Sequence, residues 1–229
     1  MKVGVLALQG DFAEHKAVLA RLGAIPIEVR LPEHLGGLDG LVIPGGESTT
    51  LTRLMSEYGL LEPIRRLAGD GVPIWGTCAG MIVLARQPSN LARPGLGIMD
   101  IVIARNAFGR QVDSFEAMLT IPALGSEPFP AVFIRAPVIR QVGPEVEVLA
   151  RLPSRETAGV SGANHDGTAI VAVRQGRMLA TAFHPELTDD PRLHRYFLTL
   201  LDPARRPSPL KAASPAAQAT WGNRPAPTP

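Results

Sequence analysis

The first hundred residues alternate between continuous apolar runs and stretches of helical periodicity. Val3-Gly4-Val5-Leu6-Ala7-Leu8 contains no polar position, the pattern of a strand buried on both faces of a parallel sheet. Gln9-Gly10-Asp11 turns the chain, and Phe12 to Leu22 repeats its apolar residues at helical spacing before Gly23 closes it. Pro26 to Arg30 predicts a second strand, with Glu28 and Arg30 facing away from Ile27 and Val29. Gly40-Leu41-Val42-Ile43-Pro44 is a third, buried strand, ending in Gly45-Gly46-Glu47-Ser48-Thr49-Thr50. Helices are predicted over Leu51 to Tyr58 and about Leu60 to Ala68, then a fourth strand over Val72 to Trp75. Strands and helices alternating at this spacing predict βαβ units and an α/β fold: three layers, with a mostly parallel, doubly wound sheet in the middle. Binding sites in such folds gather at the carboxyl ends of the strands, where both Gly45-Gly46 and the residues after Trp75 fall.

From about Leu96 the pattern shortens into strand-like pieces with few helices between them: Ile98 to Arg105, Glu116 to Ile121, Ala131 to Ala136, Val146 to Leu152, Ala169 to Gln175 and Arg177 to Phe183. Gly176 suits a hairpin turn between the last two, so this half is expected to add antiparallel or mixed strands to the sheet. Pro191 to Leu201 predicts a final amphipathic helix, and 203–229, rich in Pro, Ala and Ser, reads as a disordered tail. The 229 residues are thus expected to form one domain, residues 1–202, with that tail appended.

Composition narrows the function classes. The net charge of +2 comes without a basic stripe interleaved with aromatics, which argues against nucleic-acid binding. No apolar run approaches the ~18 residues of a membrane helix, and Met1-Lys2-Val3 enters a strand-like run without the charge and cleavage pattern of a secretory leader. A single cysteine, Cys78, forms no internal disulfide and fits a reducing, cytoplasmic setting.

That cysteine carries the sharpest signal. Pro73-Ile74-Trp75-Gly76-Thr77-Cys78-Ala79-Gly80-Met81 runs an apolar strand into Gly-x-Cys-x-Gly, with a helical pattern from Met81 to Arg86. This is the strand–sharp turn–helix arrangement of a nucleophile elbow, with sulfur in place of a serine oxygen. The flanking glycines allow a tight turn and close approach of a substrate, and a helix N-terminus favours thiolate over thiol. A lone cysteine would otherwise read as a small buried hydrophobe.

A thiolate nucleophile needs a base, and the base an orienter. Phe183-His184-Pro185-Glu186 follows the apolar run Leu179 to Phe183. Residues two apart in an extended segment share a side, so Glu186 can reach the ring nitrogen of His184 that does not face sulfur. His15 and His194 fall on predicted helices and read as surface or core residues. His34 and His165 fall in loops, and His165-Asp166 lacks the further ligands a metal site needs. For the oxyanion of an acyl transfer, candidate donors are the backbone N–H groups at Gly45-Gly46 and that of Ala79, next after the nucleophile. Gly45 to Ser48 also reads as a turn with Ser48 or Thr49 capping the next helix, and it lacks the Gly-Lys-Ser/Thr of a phosphate loop.

Gly76-Thr77-Cys78-Ala79-Gly80 with Phe183-His184-Pro185-Glu186 resembles the Cys-His-Glu triad of class I glutamine amidotransferases, whose fold is flavodoxin-like. Leu8-Gln9-Gly10, Pro44 to Thr50, Arg105 to Glu116 and Phe133-Ile134-Arg135-Ala136-Pro137 further resemble the glutaminase subunits of pyridoxal 5′-phosphate synthases, and together the matches cover most of residues 1–201. The resemblance implies hydrolysis of L-glutamine to L-glutamate and ammonia, the ammonia passing to a separate synthase subunit. That subunit makes pyridoxal 5′-phosphate from ribose 5-phosphate and glyceraldehyde 3-phosphate. It implies Cys78 as nucleophile, His184 as base and acid, and Glu186 as orienter. Gly46, Glu47, Ser48, Arg105, Ile134 and Arg135 are implied to contact glutamine, and no metal or cofactor is expected. Arginine suits the α-carboxylate of glutamine; ion pairing within the fold is the plainer use of Arg105 and Arg135. Arg151 to Thr168 looks longer than the family's pattern, and the tail after Pro203 has no counterpart. Three rivals remain open: a glutaminase subunit serving another pathway such as imidazole glycerol phosphate synthesis, a free-standing γ-glutamyl hydrolase, and a catalytically silent regulatory module.

Overall fold

In the computed structural model the chain is described over residues 1–88, 91, 93–105, 114–153 and 167–202. The 203–229 tail, most of the Arg105–Glu116 stretch and positions 154–166, with His165 and Asp166, lie outside the described residues.

The apolar runs of the first half become adjacent parallel strands. β1 (Lys2–Leu6) lies between β2 (Ile25–Val29) and β3 (Gly40–Ile43), joined to β2 through α1 (Phe12–Arg21). After α2 (Ser48–Glu57) and α3 (Leu61–Gly69), β4 (Ile74–Thr77) adds on the far side of β3. β3 and β4 are buried at every position, which is why their sequences carry no alternation. Cys78 leads into α4 (Ala79–Leu84), and the chain then forms β5 (Ala85–Pro88) and β6 (Met99–Ala104). β7 (Ser114–Leu119) and β8 (Phe129–Ile134) make a separate antiparallel pair. β9 (Val138–Val142), β10 (Glu147–Leu152), β11 (Ala169–Gln175), β12 (Met178–Thr181) and α5 (Arg192–Leu200) complete the chain.

The main sheet runs β2-β1-β3-β4-β12-β11-β9-β6-β5, with β10 paired to β11. β12 is the strand that matters for the site. It turns back from β11 at Gly176 (φ 58°) and inserts parallel to β4, Met178 opposite Ile74 and Thr181 opposite Thr77. The carboxyl ends of β4 and β12 therefore lie side by side. One apolar core runs from Val3 to Leu201, with Trp75, Phe129, Phe133, Phe183 and Phe197 fully buried. Fully burying one such side chain is worth about 1.5–3 kcal/mol. Phe183 packs against Phe129 and Phe133 at ring-centroid distances of 6.0 and 5.6 Å, which locks the β7–β8 pair to the residue preceding His184.

Three local expectations are corrected. The helix predicted over Met81 to Arg86 spans Ala79–Leu84, and Ala85 starts a strand. The carbonyls of Val83 and Leu84 accept from the Leu96 and Ile98 N–H groups, so the incoming segment takes the acceptors that another helical turn would use. α2 begins at Ser48 rather than Leu51, and its cap is neither Ser48 nor Thr49 but Glu47, whose carboxylate accepts from the Thr49 and Thr50 N–H groups. β9 was not anticipated; its partners β6 and β11 are far away in sequence. Among the described residues no helix is long and apolar enough to cross a membrane.

Candidate active site

Two glycines set the sharp turn at Cys78. A Cβ on Gly80 would lie 1.9 Å from the Ile43 carbonyl oxygen, and one on Gly76 2.5 Å from the Gly80 carbonyl carbon. The start of α4 thus sits directly against β3. Cys78 takes φ 47° and ψ −103°, a left-handed conformation that an L-residue adopts at a cost of about 1–3 kcal/mol. Its N–H donates to the Thr181 carbonyl (2.8 Å), pinning it to the end of β12, and its Sγ lies 3.9 Å from the Ile134 carbonyl oxygen. The side chain stands at the N-terminus of a helix and only 7% of the residue is exposed.

His184 follows β12 and is 3% exposed. Its N–H donates to the Val132 carbonyl (2.8 Å), and its ring Nδ1 lies 2.8 Å from Glu186 Oε1. The contact expected from an extended His-x-Glu is present, but the backbone is not extended: Pro185–Leu187 form a 3-10 turn that curls Glu186 back under the ring. Asp11 Oδ2 is also 3.2 Å from Nδ1. Burial alone would lower the basicity of this imidazole. Its hydrogen bonds to Asp11, Cys78 and Glu186 outweigh that and push its pKa up to about 12. His184 is thereby an imidazolium at neutral pH, paired on opposite sides with sulfur and carboxylate. Burial raises the pKa of Glu186, with the hydrogen bond to His184 opposing, while the bond to His184 lowers that of Asp11.

In front of Cys78 and His184 opens a cavity of about 360 Å³. Gly46, Glu47, Ser48, Ala79, Arg105, Ile134 and Arg135 line it, together with Asp11, Ile82 and Pro137. Gly45 is packed behind, where a Cβ would come within 2.4 Å of His184 Cε1. The loop it begins is held by Gln9, whose Oε1 accepts from the Glu47 N–H (3.1 Å). The Glu47 carboxylate is committed to its helix cap, and the backbone N–H bonds it accepts outweigh burial and hold its pKa down to about 2. Arg105 Nη2 lies 3.7 Å from Glu47 and 3.4 Å from Thr49 Oγ1. Arg135 has φ 42°; it and Cys78 are the non-glycine residues with positive φ among those described.

Every expected site residue therefore reaches one cavity or its immediate back wall. Asp11 was missed as a site residue, although it stands just past β1, where α/β sites gather. His15, whose Nε2 is 3.3 Å from Glu186 Oε2, was passed over because nothing local marks it. Asp11, His184 and Glu186 also bring three possible metal-ligating atoms within 4.8 Å of one another. They are the hydrogen-bonded surroundings of an imidazolium, and a cation there would have to displace its proton.

The arrangement suits acyl transfer through a thioester: a cysteine sulfur, a histidine that hydrogen-bonds it, and a carboxylate fixing that histidine. Residues 5–202 match the SNO glutamine amidotransferase family. A pyridoxal 5′-phosphate synthase subunit PdxT of Pelotomaculum thermopropionicum is 58% identical over 198 residues, 86% of this chain and 94% of that protein. The PdxT subunit of Herpetosiphon aurantiacus is 55% identical over 203 residues, 87% of this chain and the whole of that one. Among solved structures, one described as a glutamine amidotransferase superposes with TM-score 0.76 at 52% identity, covering 87% of this chain and 98% of that one. PurLQS from Thermotoga maritima, at 16% identity and TM-score 0.63 over 88% of this chain and 99% of that one, shares the fold.

Proposed function

The chain belongs to the SNO glutamine amidotransferase family, and from that premise we propose that its 1–202 domain hydrolyses L-glutamine to L-glutamate and ammonia for a pyridoxal 5′-phosphate synthase. The Cys78 thiolate attacks the carboxamide carbon of glutamine. Negative charge moves to the carboxamide oxygen, where the backbone N–H groups of Ala79 and of the Gly45-Gly46 loop receive it. His184 gives its proton to the departing nitrogen, ammonia leaves, and a thioester on Cys78 remains. Water then attacks the thioester while the now neutral His184 takes a proton from it. Glutamate departs and the thiolate–imidazolium pair is restored.

Arg105 and Arg135 on the cavity wall suit the α-carboxylate of glutamine. Glu47 lines the cavity with its carboxylate capping α2 and its N–H taken by Gln9. The ammonia passes to a synthase subunit that builds pyridoxal 5′-phosphate from ribose 5-phosphate and glyceraldehyde 3-phosphate, in the cytoplasm. The single observation that carries the reading is His184 set between Cys78 and Glu186 at the mouth of a cavity walled by two arginines.

Glutamate release from glutamine, measured for this chain alone and then mixed with the synthase subunit of its organism, tests it. Low activity alone and a large rise on mixing supports both reaction and partner. High activity unchanged by mixing points to a free-standing hydrolase. No activity in either case sinks the enzyme and leaves a regulatory module.

A further inference from the structure

The reaction above uses one oxygen of Glu186. The other, Oε2, is buried and has no well-directed hydrogen bond among the described residues, yet it lies 3.3 Å from Nε2 of His15. His15, in α1, is fully buried. Its Nδ1 is 3.0 Å from Nε2 of His194, a fully buried residue of α5, and its Nε2 is also 3.3 Å from Thr77 Oγ1. Trp75 packs edge-on against both rings, at centroid distances of 5.5 and 4.9 Å. Two histidines 179 positions apart are thus joined in a row behind the Glu186 carboxylate, and neither lines the cavity.

The proton positions follow from what each nitrogen faces. If His15 carried its hydrogen on Nδ1, a bare lone pair at Nε2 would face the carboxylate. The Nδ1–H of His194 would then be a buried donor without a partner, since that nitrogen has none among the described residues. With the hydrogens on Nε2 of both rings, His194 donates to His15 Nδ1 and the His15 N–H is directed at Thr77 Oγ1, with Glu186 Oε2 to one side of it at 3.3 Å. The group left over is then an acceptor, the commoner kind of buried orphan. Burial above all, and the positive charge of His184, keep His15 neutral, so it acts as a dipole and does not compete with His184 as a cation.

We propose that His15 is a positioning residue for Glu186, its Nε2–H holding the second oxygen as a carboxylate oxygen, and that His194 fixes the tautomer in which this hydrogen is present. The inference rests on reading Cys78, His184 and Glu186 as the glutaminase triad. Glu186 is faced by His184 and Asp11 from the cavity side and by His15 from α1; His194 from α5 and Thr77 from β4 complete the surroundings of His15. Cys78 lies beyond His184, and the charge of Arg21 bears on His194. Without the His15 N–H, Glu186 accepts a proton more readily, lets go of the His184 Nδ1–H, and the imidazolium loses its counter-charge.

The test compares His15→Leu, His15→Gln and His15→Asn in the complex with the synthase subunit. His15→Leu is expected to lower kcat for glutamate release by about 10–100-fold, by analogy with the loss on removing a partner that orients a metal-binding side chain. KM for glutamine stays within about twofold, and the acid limb of kcat against pH moves up by about one unit. Glutamine, whose amide reaches the place of Nε2, restores most of the rate; asparagine, whose amide reaches only the place of Nδ1, does not. Alkylation of Cys78 by iodoacetamide across pH shows the same displaced limb in His15→Leu without any turnover of glutamine. Wild-type kcat and pH profile in a folded His15→Leu complex would overturn the proposal, as would Gln and Asn variants impaired alike. Should His15→Leu fail to fold, the Gln–Asn pair decides. A wild-type complex that releases no glutamate refutes the glutaminase reading instead, and the alkylation profiles still decide the role of His15.

Discussion

Cys78 and Arg135 face the same cavity, both with left-handed backbone, and they are held there in opposite ways. The cysteine sits on the parallel half of the sheet, between two glycines that permit backbone-to-backbone contact with β3 and a hydrogen bond to β12. Its conformation is over-determined by close packing. Arg135 follows β8, a strand of the small two-stranded sheet, at a bend that leads to Ala136 and Pro137. Strain at a sharp turn that aims a nucleophile is part of a mechanism; strain at the edge of a substrate wall positions one side chain. The two regions still meet: β8 gives its Val132 carbonyl to the His184 N–H and its Ile134 carbonyl to Cys78 Sγ, so what differs is how each backbone is held and not whether it touches the site.

Several substitutions test that division. Cys78→Ala in the complex is expected to lower glutamate release by at least about 10⁴-fold, because the nucleophile cannot be replaced by its neighbours, with the fold retained by circular dichroism. Gly80→Ala attacks the same element through its packing: the new methyl meets the Ile43 carbonyl, and chemical denaturation should show a loss of about 3 kcal/mol or more. Arg135→Gly is the contrasting case. It relieves the positive φ, so stability holds or rises by about 1 kcal/mol, while KM for glutamine climbs far more than kcat falls. Equal losses in stability for Gly80→Ala and Arg135→Gly would dissolve the distinction.

The smallest effect concerns pH. His194 is buried and its pKa is lowered to about 3, chiefly by burial, and that of His15 is also held well below the usual value. The unfolded chain binds protons on these rings from about pH 6.5 downward and the folded one does not, so the pair makes stability rise with pH through that window, against the opposing contribution of His184, which is already protonated in the fold. Each buried ring adds a slope of at most about 1.4 kcal/mol per pH unit. Urea midpoints between pH 7.5 and 5 check this, and a slope unchanged in His194→Gln would refute the assignment.

The sequence foretold some of this site far better than the rest, for physical reasons. An elbow is local: five consecutive residues specify strand end, tight turn and helix start, and Cys78 is where that pattern puts it. His184 and Glu186 were legible because two residues and a proline fix their relation, even though the backbone there is a 3-10 turn. The parallel sheet of the first half was legible from strands alternating with helices, with unbroken apolar runs marking β1 and β3. What escaped depends on tertiary contact. His15 meets His194 across 179 positions, and no spacing rule spans that distance. Glu47 reads as a substrate residue, but its carboxylate turns inward to cap α2, a choice between two partners that composition does not settle. β9 depends for its existence on strands from both sides of it in the chain.

The insertion of β12 beside β4 has a bearing on biosynthesis. A nascent chain completes the thiol-bearing turn early, but β12, the strand that must lie against it, and His184 after it are made about 100 residues later. Throughout most of translation the sulfur has neither its imidazole nor the Thr181 carbonyl that fixes its backbone. The surroundings of Cys78 are thus completed by a part of the chain synthesised long after the turn itself.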